Sequence, residues 1–341
     1  SMGTLTGAPG VAAGRPALTT IVASDRASGA AGAGESARES TRPAYAAALH
    51  ARARVEPMST EPRAERPRKP RIAILFGGRS SEHAVSCSSA ASVLRAIDRE
   101  AFDVVPIGIA RDGRWVLVPD DPQALELRRG HLPEVDGSGE AIVAPLATTD
   151  RRLRALDQAD VVRELGEVDV VFPVLHGPWG EDGTVQGMLD LSDVRYVGSG
   201  VLASAAGMDK HYMKVIFAGH GLPIGPYAVV TDRAWRADPA SAMAAAHALG
   251  FPVFVKPARA GSSMGITRVN DDADLQEAIE TAREHDPKVI IEAAIFGREI
   301  ECAVLEGRGT DAPRTSAVGE IAVVQGHEFY DFEAKYLDEN D

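Results

Sequence analysis

Cysteine is nearly missing from this sequence. Only Cys87 and Cys302 occur in 341 residues, far apart. Two such residues build neither a disulfide framework nor a thiolate metal site, and they fit a reducing compartment. A basic excess is missing as well. The formal net charge is −13, which leaves no electrostatic footprint for nucleic acid. No uninterrupted apolar run approaches the roughly 20 residues that a membrane helix needs, so no membrane partner is expected. Nine histidines are scattered without the paired spacing of a zinc site. No G-x-G-x-x-G signals a dinucleotide site, and no nucleophile–base pair is evident. What remains is an ordinary soluble composition, 45% hydrophobic and 25% charged, with length for about two domains.

Residues 1–70 differ from the rest. They are rich in Ala, Gly, Ser, Arg and Pro, and Tyr45 is their only aromatic residue. They hold 10 basic and 6 acidic residues, whereas the remainder is strongly acidic. Such a stretch buries too little apolar surface to offset its ordering entropy, so a disordered, inert tail is expected. A transit-like leader, a genuine flexible tail and an upstream start, with Met58 as the true first residue, all remain open readings. Ser1-Met2 reads as a remnant of expression.

The folded pattern opens with Arg71 to Phe76, a continuous apolar run of the kind a buried parallel strand shows. A turn, Gly77-Gly78-Arg79-Ser80-Ser81-Glu82-His83, leads into a helix expected over 84–97, the opening of a βαβ unit. Glu82 stands at the helix start, where the dipole favours a carboxylate in any case. Strands are expected at 104–109 and 115–118, then a loop over 119–149. Another apolar run, 168–175, ends in His176-Gly177-Pro178-Trp179-Gly180-Glu181-Asp182-Gly183. A lone histidine is usually structural, but two polar glycine loops at strand ends of one sheet point toward a site.

Further on, a helix is expected over 210–219, a strand at 227–230 and a helix at 239–249. Phe251 to Val255 reads as a strand that delivers Lys256. Pro257 then stops regular pairing, and a small-residue loop, Gly261-Ser262-Ser263-Met264-Gly265, precedes a strand at 266–269. Glycine and serine allow close approach to a ligand, and backbone N–H groups, hydroxyls and a fixed lysine suit phosphate oxygens. The lysine precedes the glycines, so this is not a P-loop. After a helix at 272–284 and a strand at 289–291, Glu292 breaks the apolar run. Glu292 and Glu299 read either as a hinge or as an ordinary hairpin before a strand at 302–305. A last strand is expected at 321–324, then an aromatic and charged segment, Phe329 to Tyr336.

These motifs, in this order and with Met208-Asp209-Lys210 between them, closely resemble the D-alanine–D-alanine ligase family of the ATP-grasp superfamily. The resemblance runs from about Arg71 to the end. It implies an α/β and α+β protein: a preATP-grasp parallel-sheet domain (71–203), a central ATP-grasp lobe (204–291) and the start of a C-terminal lobe (292–341). It implies ATP-dependent ligation of two D-alanines through an acyl phosphate, for peptidoglycan synthesis in a bacterial cytoplasm. By the same resemblance Lys210 and Lys256 neutralise phosphates, and the Ser262–Ser263 loop folds over them. Glu292 and Ile295 meet the adenine, and Glu299 the ribose. Glu82 pairs with the ammonium of the first D-alanine, with His176 nearby. Lys335 and Tyr336 lie in a closing loop, and Tyr336 joins Ser262 and Glu82 in a water-excluding cluster. Mg²⁺ or Mn²⁺ is implied, with its ligands expected beyond Asp341, so the chain is expected to be the front part of a longer ligase. Many members are dimers, so a homodimer is a further expectation. A ligase with another second substrate, such as one forming D-alanyl-D-lactate, and a non-catalytic nucleotide-binding fragment are the alternatives.

Overall fold

The computed structural model describes residues 68–321, apart from 129, 145, 146, 158 and 160. The tail up to residue 67, the end of the strand expected at 321–324, and the Phe329–Tyr336 segment with Lys335 and Tyr336 lie outside the described residues. Among the described residues, no helix is long and apolar enough to cross a membrane.

The first sheet has seven strands: β1 Arg71–Gly77, β2 Asp103–Ile109, β3 Trp115–Leu117, β4 Ala141–Val143, β5 Arg152–Leu156, β6 Val162–Glu167 and β7 Val170–Pro173. Their spatial order is β6-β5-β4-β3-β2-β1-β7. β1 pairs in parallel with both β2 and β7, while β2 through β6 form an antiparallel meander. The parallel reading therefore holds at the centre only. The expected loop over 119–149 contains β4, and β5 and β6 were not evident beforehand. β5 hides only Leu153 and Ala155. β6 is an edge strand whose glutamates face arginines of β5, with Arg152 opposite Glu167 and Arg154 opposite Glu164. Cross-strand charge pairs support such an edge without an apolar run.

β1 is buried on both faces. Ile74 and Phe76 pack with Cys87, Ala90, Ala91 and Leu94 of α1 (His83–Ala96). Ala73 and Leu75 face Ile107, Val171 and Leu189 on the other side. This covering accounts for the unbroken apolar run. Three further helices follow the sheet: α2 Thr184–Leu191, α3 Val201–Met208 and α4 Lys210–Gly219.

Two buried polar side chains fix the start of α1 against the strand ends. Ser86 Oγ accepts from the Gly77 N–H at 2.8 Å and donates to the Val174 carbonyl at 2.6 Å. His83 is fully buried. Its Nδ1–H donates to the Gly78 carbonyl at 2.6 Å, and its Nε2 accepts from the Val135 N–H at 3.0 Å. Those partners admit one neutral tautomer only.

A second, four-stranded antiparallel sheet has the order β10-β9-β11-β8. Its strands are β8 Tyr227–Thr231, β9 Val253–Pro257, β10 Thr267–Val269 and β11 Lys288–Ala293. Helices α5 Asp232–Ala237, α6 Pro239–His247 and α7 Leu275–His285 accompany it. One core joins Val253, Val255, Val289 and Ile291 to Leu275, Ala278, Ile279 and Ala282 of α7. Alternation leaves Phe254 and Lys256 of β9, with Glu292 of β11, on the opposite, half-buried face. Two expectations are corrected here. Pro257 belongs to the ladder, opposite Val289; at the last position of β9 its missing N–H costs little. Glu292 lies within β11 and does not end it, because its side chain points to the open face. Two short ribbons follow, β12 Glu299–Glu301 with β15 Gly319–Ile321, and β13 Val304–Leu305 with β14 Arg314–Thr315. Of the strand expected at 302–305, only Val304–Leu305 forms; Cys302 and Ala303 lie between the two ribbons.

Two outcomes follow from these cores. Cys87 is fully buried, and burial pushes its thiol up to about 12, whereas Cys302 is exposed. Iodoacetamide followed by peptide mass mapping should modify Cys302 in the native protein and Cys87 only after unfolding; equal native labelling would contradict this packing. Burial also holds His83 below its ordinary 6.5, and Arg111 beside it acts in the same direction against Glu134. The unfolded chain then takes up this proton first, so the stability contributed is full above pH 6.5 and declines as pH falls below it. Each pH unit removes at most about 1.4 kcal/mol. His83→Gln should melt earlier than the parent at pH 7.5, and the gap should narrow in melts taken toward pH 5. A constant gap would refute the neutral buried imidazole.

Candidate active site

The site is assembled where the two sheets meet, around the loop that leaves β9. The carboxyl ends of β1 and β7, neighbours in the first sheet, present the Gly77–His83 turn and the His176–Gly183 loop. Glu82 immediately precedes α1, its carboxylate making no capping bond to the helix, and is only 4% exposed. Its N–H donates to Ser80 Oγ at 2.9 Å. From the second sheet, Ser262 Oγ donates to Glu82 Oε1. The other oxygen, Oε2, is buried without a hydrogen-bond partner among the described residues. A buried carboxylate oxygen left bare is costly and calls for a donor.

Glycines make this approach possible. At Gly177, where φ is +74°, a Cβ would stand 2.2 Å from Glu82 Oε2. At Gly261 a Cβ would stand 2.9 Å from both carboxylate oxygens. Only a residue without Cβ lets either loop close on Glu82. Ser262 and Ser263 also adopt left-handed backbone, with φ of 47° and 57°. Non-glycine residues held there store strain that the surroundings must offset, a feature that clusters at functional loops.

The base of the loop is held firmly. Asp286, which is buried, accepts from the Arg259 N–H at 2.8 Å and from its guanidinium at 2.7 and 3.0 Å. The Ala258 N–H donates to the Lys288 carbonyl, and the Lys210 N–H to the Ala258 carbonyl. Lys210 Nζ reaches the Ala260 carbonyl at 2.6 Å. α4, which carries Lys210, starts at Asp209. That carboxylate caps the helix through the His211 and Tyr212 N–H groups and pairs with Lys288 at 2.8 Å. Burial disfavours its charge, but Lys288 and the cap amides outweigh this and hold the pKa below the ordinary range.

Beyond the loop, three lysines surround one carboxylate. Glu292 pairs with Lys214 at 2.8 Å and Lys256 at 2.5 Å. Against the effect of burial, these two cations hold its pKa down. Lys210 is depressed instead, by burial and then by repulsion from Lys256. The cleft therefore carries unneutralised positive charge at low solvation, which suits an oxyanion such as a phosphate chain.

Of the residues singled out from sequence, Glu82 and Ser262 are brought into contact, and Lys256 and Glu292 into an ion pair. His176 is held by Ser89 of α1, at 2.9 Å from its Nε2. Ser263 lies in the strained loop. Ile295 is 74% exposed, near Gly225. Glu299 is exposed on β12, opposite Ile321. Lys214, Asp286 and Lys288 were missed: a lysine one helical turn after Lys210 was the only local signal for the first, and the other two act through tertiary pairing. Among the described residues, no cluster of His, Cys, Asp or Glu could hold a metal ion.

Comparison with known proteins accords with this geometry. A family model described as D-ala D-ala ligase N-terminus matches residues 71–199, and one described as D-ala D-ala ligase C-terminus matches residues 216–341. The D-alanine--D-alanine ligase of Arthrobacter sp. (strain FB24) is 60% identical over 273 residues, covering 80% of this chain and 72% of its own length. That of Kineococcus radiotolerans is 58% identical over 284 residues, covering 82% and 74%. Among solved structures, the VanG D-Ala:D-Ser ligase from Enterococcus faecalis is similar, with a TM-score of 0.64 and 36% identity over 77% of this chain and 72% of that one. The D-alanine-D-alanine ligase from Coxiella burnetii gives a TM-score of 0.62 and 32% identity, over 74% and 68%. Both halves are matched in chain order by relatives this similar, and the chain belongs to the D-alanine–D-alanine ligase family.

Proposed function

We propose that the protein joins two D-alanines to D-alanyl-D-alanine at the expense of ATP, which is cleaved to ADP and phosphate by transfer of its γ-phosphoryl group, supplying peptidoglycan synthesis in the cytoplasm. The observation that carries this reading is the loop 258–265. One end bears Ser262 on the carboxylate of Glu82, and the other is bound by Lys210 beside Lys256. An ammonium site and an oxyanion site thus flank a single small-residue loop. That is the arrangement needed to bring an amino-acid carboxylate to a terminal phosphate.

On this reading residues 71–203 hold the amino acid, 204–291 form the central nucleotide lobe, and 292–341 begin the third. The bare Oε2 of Glu82 accepts from the ammonium of the first D-alanine, with His176 near its carboxylate. Lys210 and Lys256 release their present acceptors and turn to the phosphates. Glu292, Ile295 and Glu299 receive the nucleoside. The first carboxylate attacks the γ-phosphorus, and the second amino group then attacks the acyl phosphate. Positioning and charge neutralisation do the work without a protein nucleophile. A divalent ion, Mg²⁺ or Mn²⁺, supplies charge neutralisation on the phosphates when bound. Ser262, closing over Glu82 with Tyr336, keeps water from the acyl phosphate.

Phosphate release from ATP and Mg²⁺ should depend on D-alanine and not be supported by L-alanine. D-lactate or D-serine, offered with limiting D-alanine, should yield little mixed product by mass spectrometry at neutral pH; a predominant depsipeptide or D-alanyl-D-serine would reassign the second substrate. Glu82→Gln should raise the KM for D-alanine about 10–100-fold, the worth of a hydrogen bond to a charged group, while the KM for ATP changes little. Lys256→Met should show the opposite pattern. Steady-state kinetics that move both constants together in both variants would count against these assignments.

A further inference from the structure

Lys214 lies outside every motif read from the sequence. It stands one turn after Lys210 on α4, with its side chain 13% exposed. Its Nζ pairs with Glu292 Oε1 at 2.8 Å and lies 5.5 Å from the ring centroid of Tyr227. That ring is on the same sheet face, since Tyr227 is directly opposite Glu292 in the β8–β11 register. Lys256 takes the other oxygen, Oε2, at 2.5 Å. One carboxylate therefore holds two ammonium groups, each by a separate oxygen.

This division has a consequence for anion binding. A phosphate that draws Lys256 away takes a counter-ion from Glu292. A half-buried carboxylate stripped of its only cation is strongly disfavoured, so Lys256 would be hard to release if it were the sole partner. With Lys214 on the other oxygen, Glu292 stays paired and charged. Oε2 is then free, and it accepts hydrogen bonds only.

We propose that Lys214 is a positioning residue for the nucleotide: it holds Glu292 while Lys256 exchanges Oε2 for a phosphate oxygen, leaving Oε2 to accept from an exocyclic amino group of the base. This rests on the reading above that Glu292 and Lys256 belong to the nucleotide site. Without Lys214, base recognition and phosphate binding compete for one ion pair. With it, they are compatible.

The test is ADP affinity by calorimetry on the full chain. Lys214→Met should raise the dissociation constant about tenfold, the order of effect of unbalancing a buried charge pair, and Lys214→Arg should restore most of it. In a Glu292→Gln background, Lys214→Met should change affinity less than about threefold, because the carboxylate it serves is gone. An equal loss in both backgrounds would mark Lys214 as merely structural and overturn the proposal, as would no loss in either. Should Lys214→Met fail to fold, Lys214→Gln, which keeps a hydrogen-bond donor without the charge, carries the same comparison. If Glu292→Gln and Lys256→Met weaken ADP binding and the Lys214 variants do not, the inference alone fails. If none of the variants changes ADP affinity while D-alanine-dependent phosphate release persists, the nucleotide-site reading fails, and the inference with it.

Discussion

The hydrogen bond from Ser262 to Glu82 ties together two sheets with separate cores. One partner stands at the start of the first helix, behind a parallel strand. The other sits at the tip of a loop from an antiparallel strand, 180 residues later in the chain. For the bond to form, both loops must bring backbone within a few ångströms of one carboxylate. That requirement accounts for Gly177 and Gly261, and it accords with the left-handed backbone of Ser262 and Ser263. The rigid anchorage behind the loop, through Asp286, Arg259 and Lys210, keeps the strained tip from relaxing elsewhere.

The buried charges divide into two groups. Asp209 with Lys288 and Asp286 with Arg259 are closed pairs, with backbone amides completing the carboxylates. They hold α4 and the base of the loop, and nothing about them asks for a ligand. Glu82 and the lysine cluster are different. One has a bare buried oxygen, and the other has more cations than anions in a poorly solvated cleft. Unbalanced groups of opposite sign on either side of one loop are what a substrate with an ammonium at one end and a phosphate donor at the other would complete.

The strands and helices with strong periodicity were legible from residues alone. Arg71–Gly77 announced itself because burial on both faces demands an unbroken apolar run, and α7 because its core-facing side repeats at helical spacing. The meander strands β5 and β6 were not legible. Their pairing rests on arginines facing glutamates across strands, and charge complementarity between strands leaves no local period. Pro257 and Glu292 misled for a related reason: each breaks a local pattern, yet each is tolerated at its place in the ladder.

The sequence by itself determined the chemistry on offer: a carboxylate behind a glycine turn, lysines at a helix start and before a small-residue loop, and an order of motifs that marks the family. These depend on residue type and local spacing, which the chain carries directly. Only the tertiary structure decided which charges cancel and which remain. Glu292 reads locally as a break in an apolar run, but β-pairing sets it diagonally from Lys256, and α4 brings Lys214 to its second oxygen. Whether a buried charge is balanced depends on groups far away in sequence, and that is settled by packing.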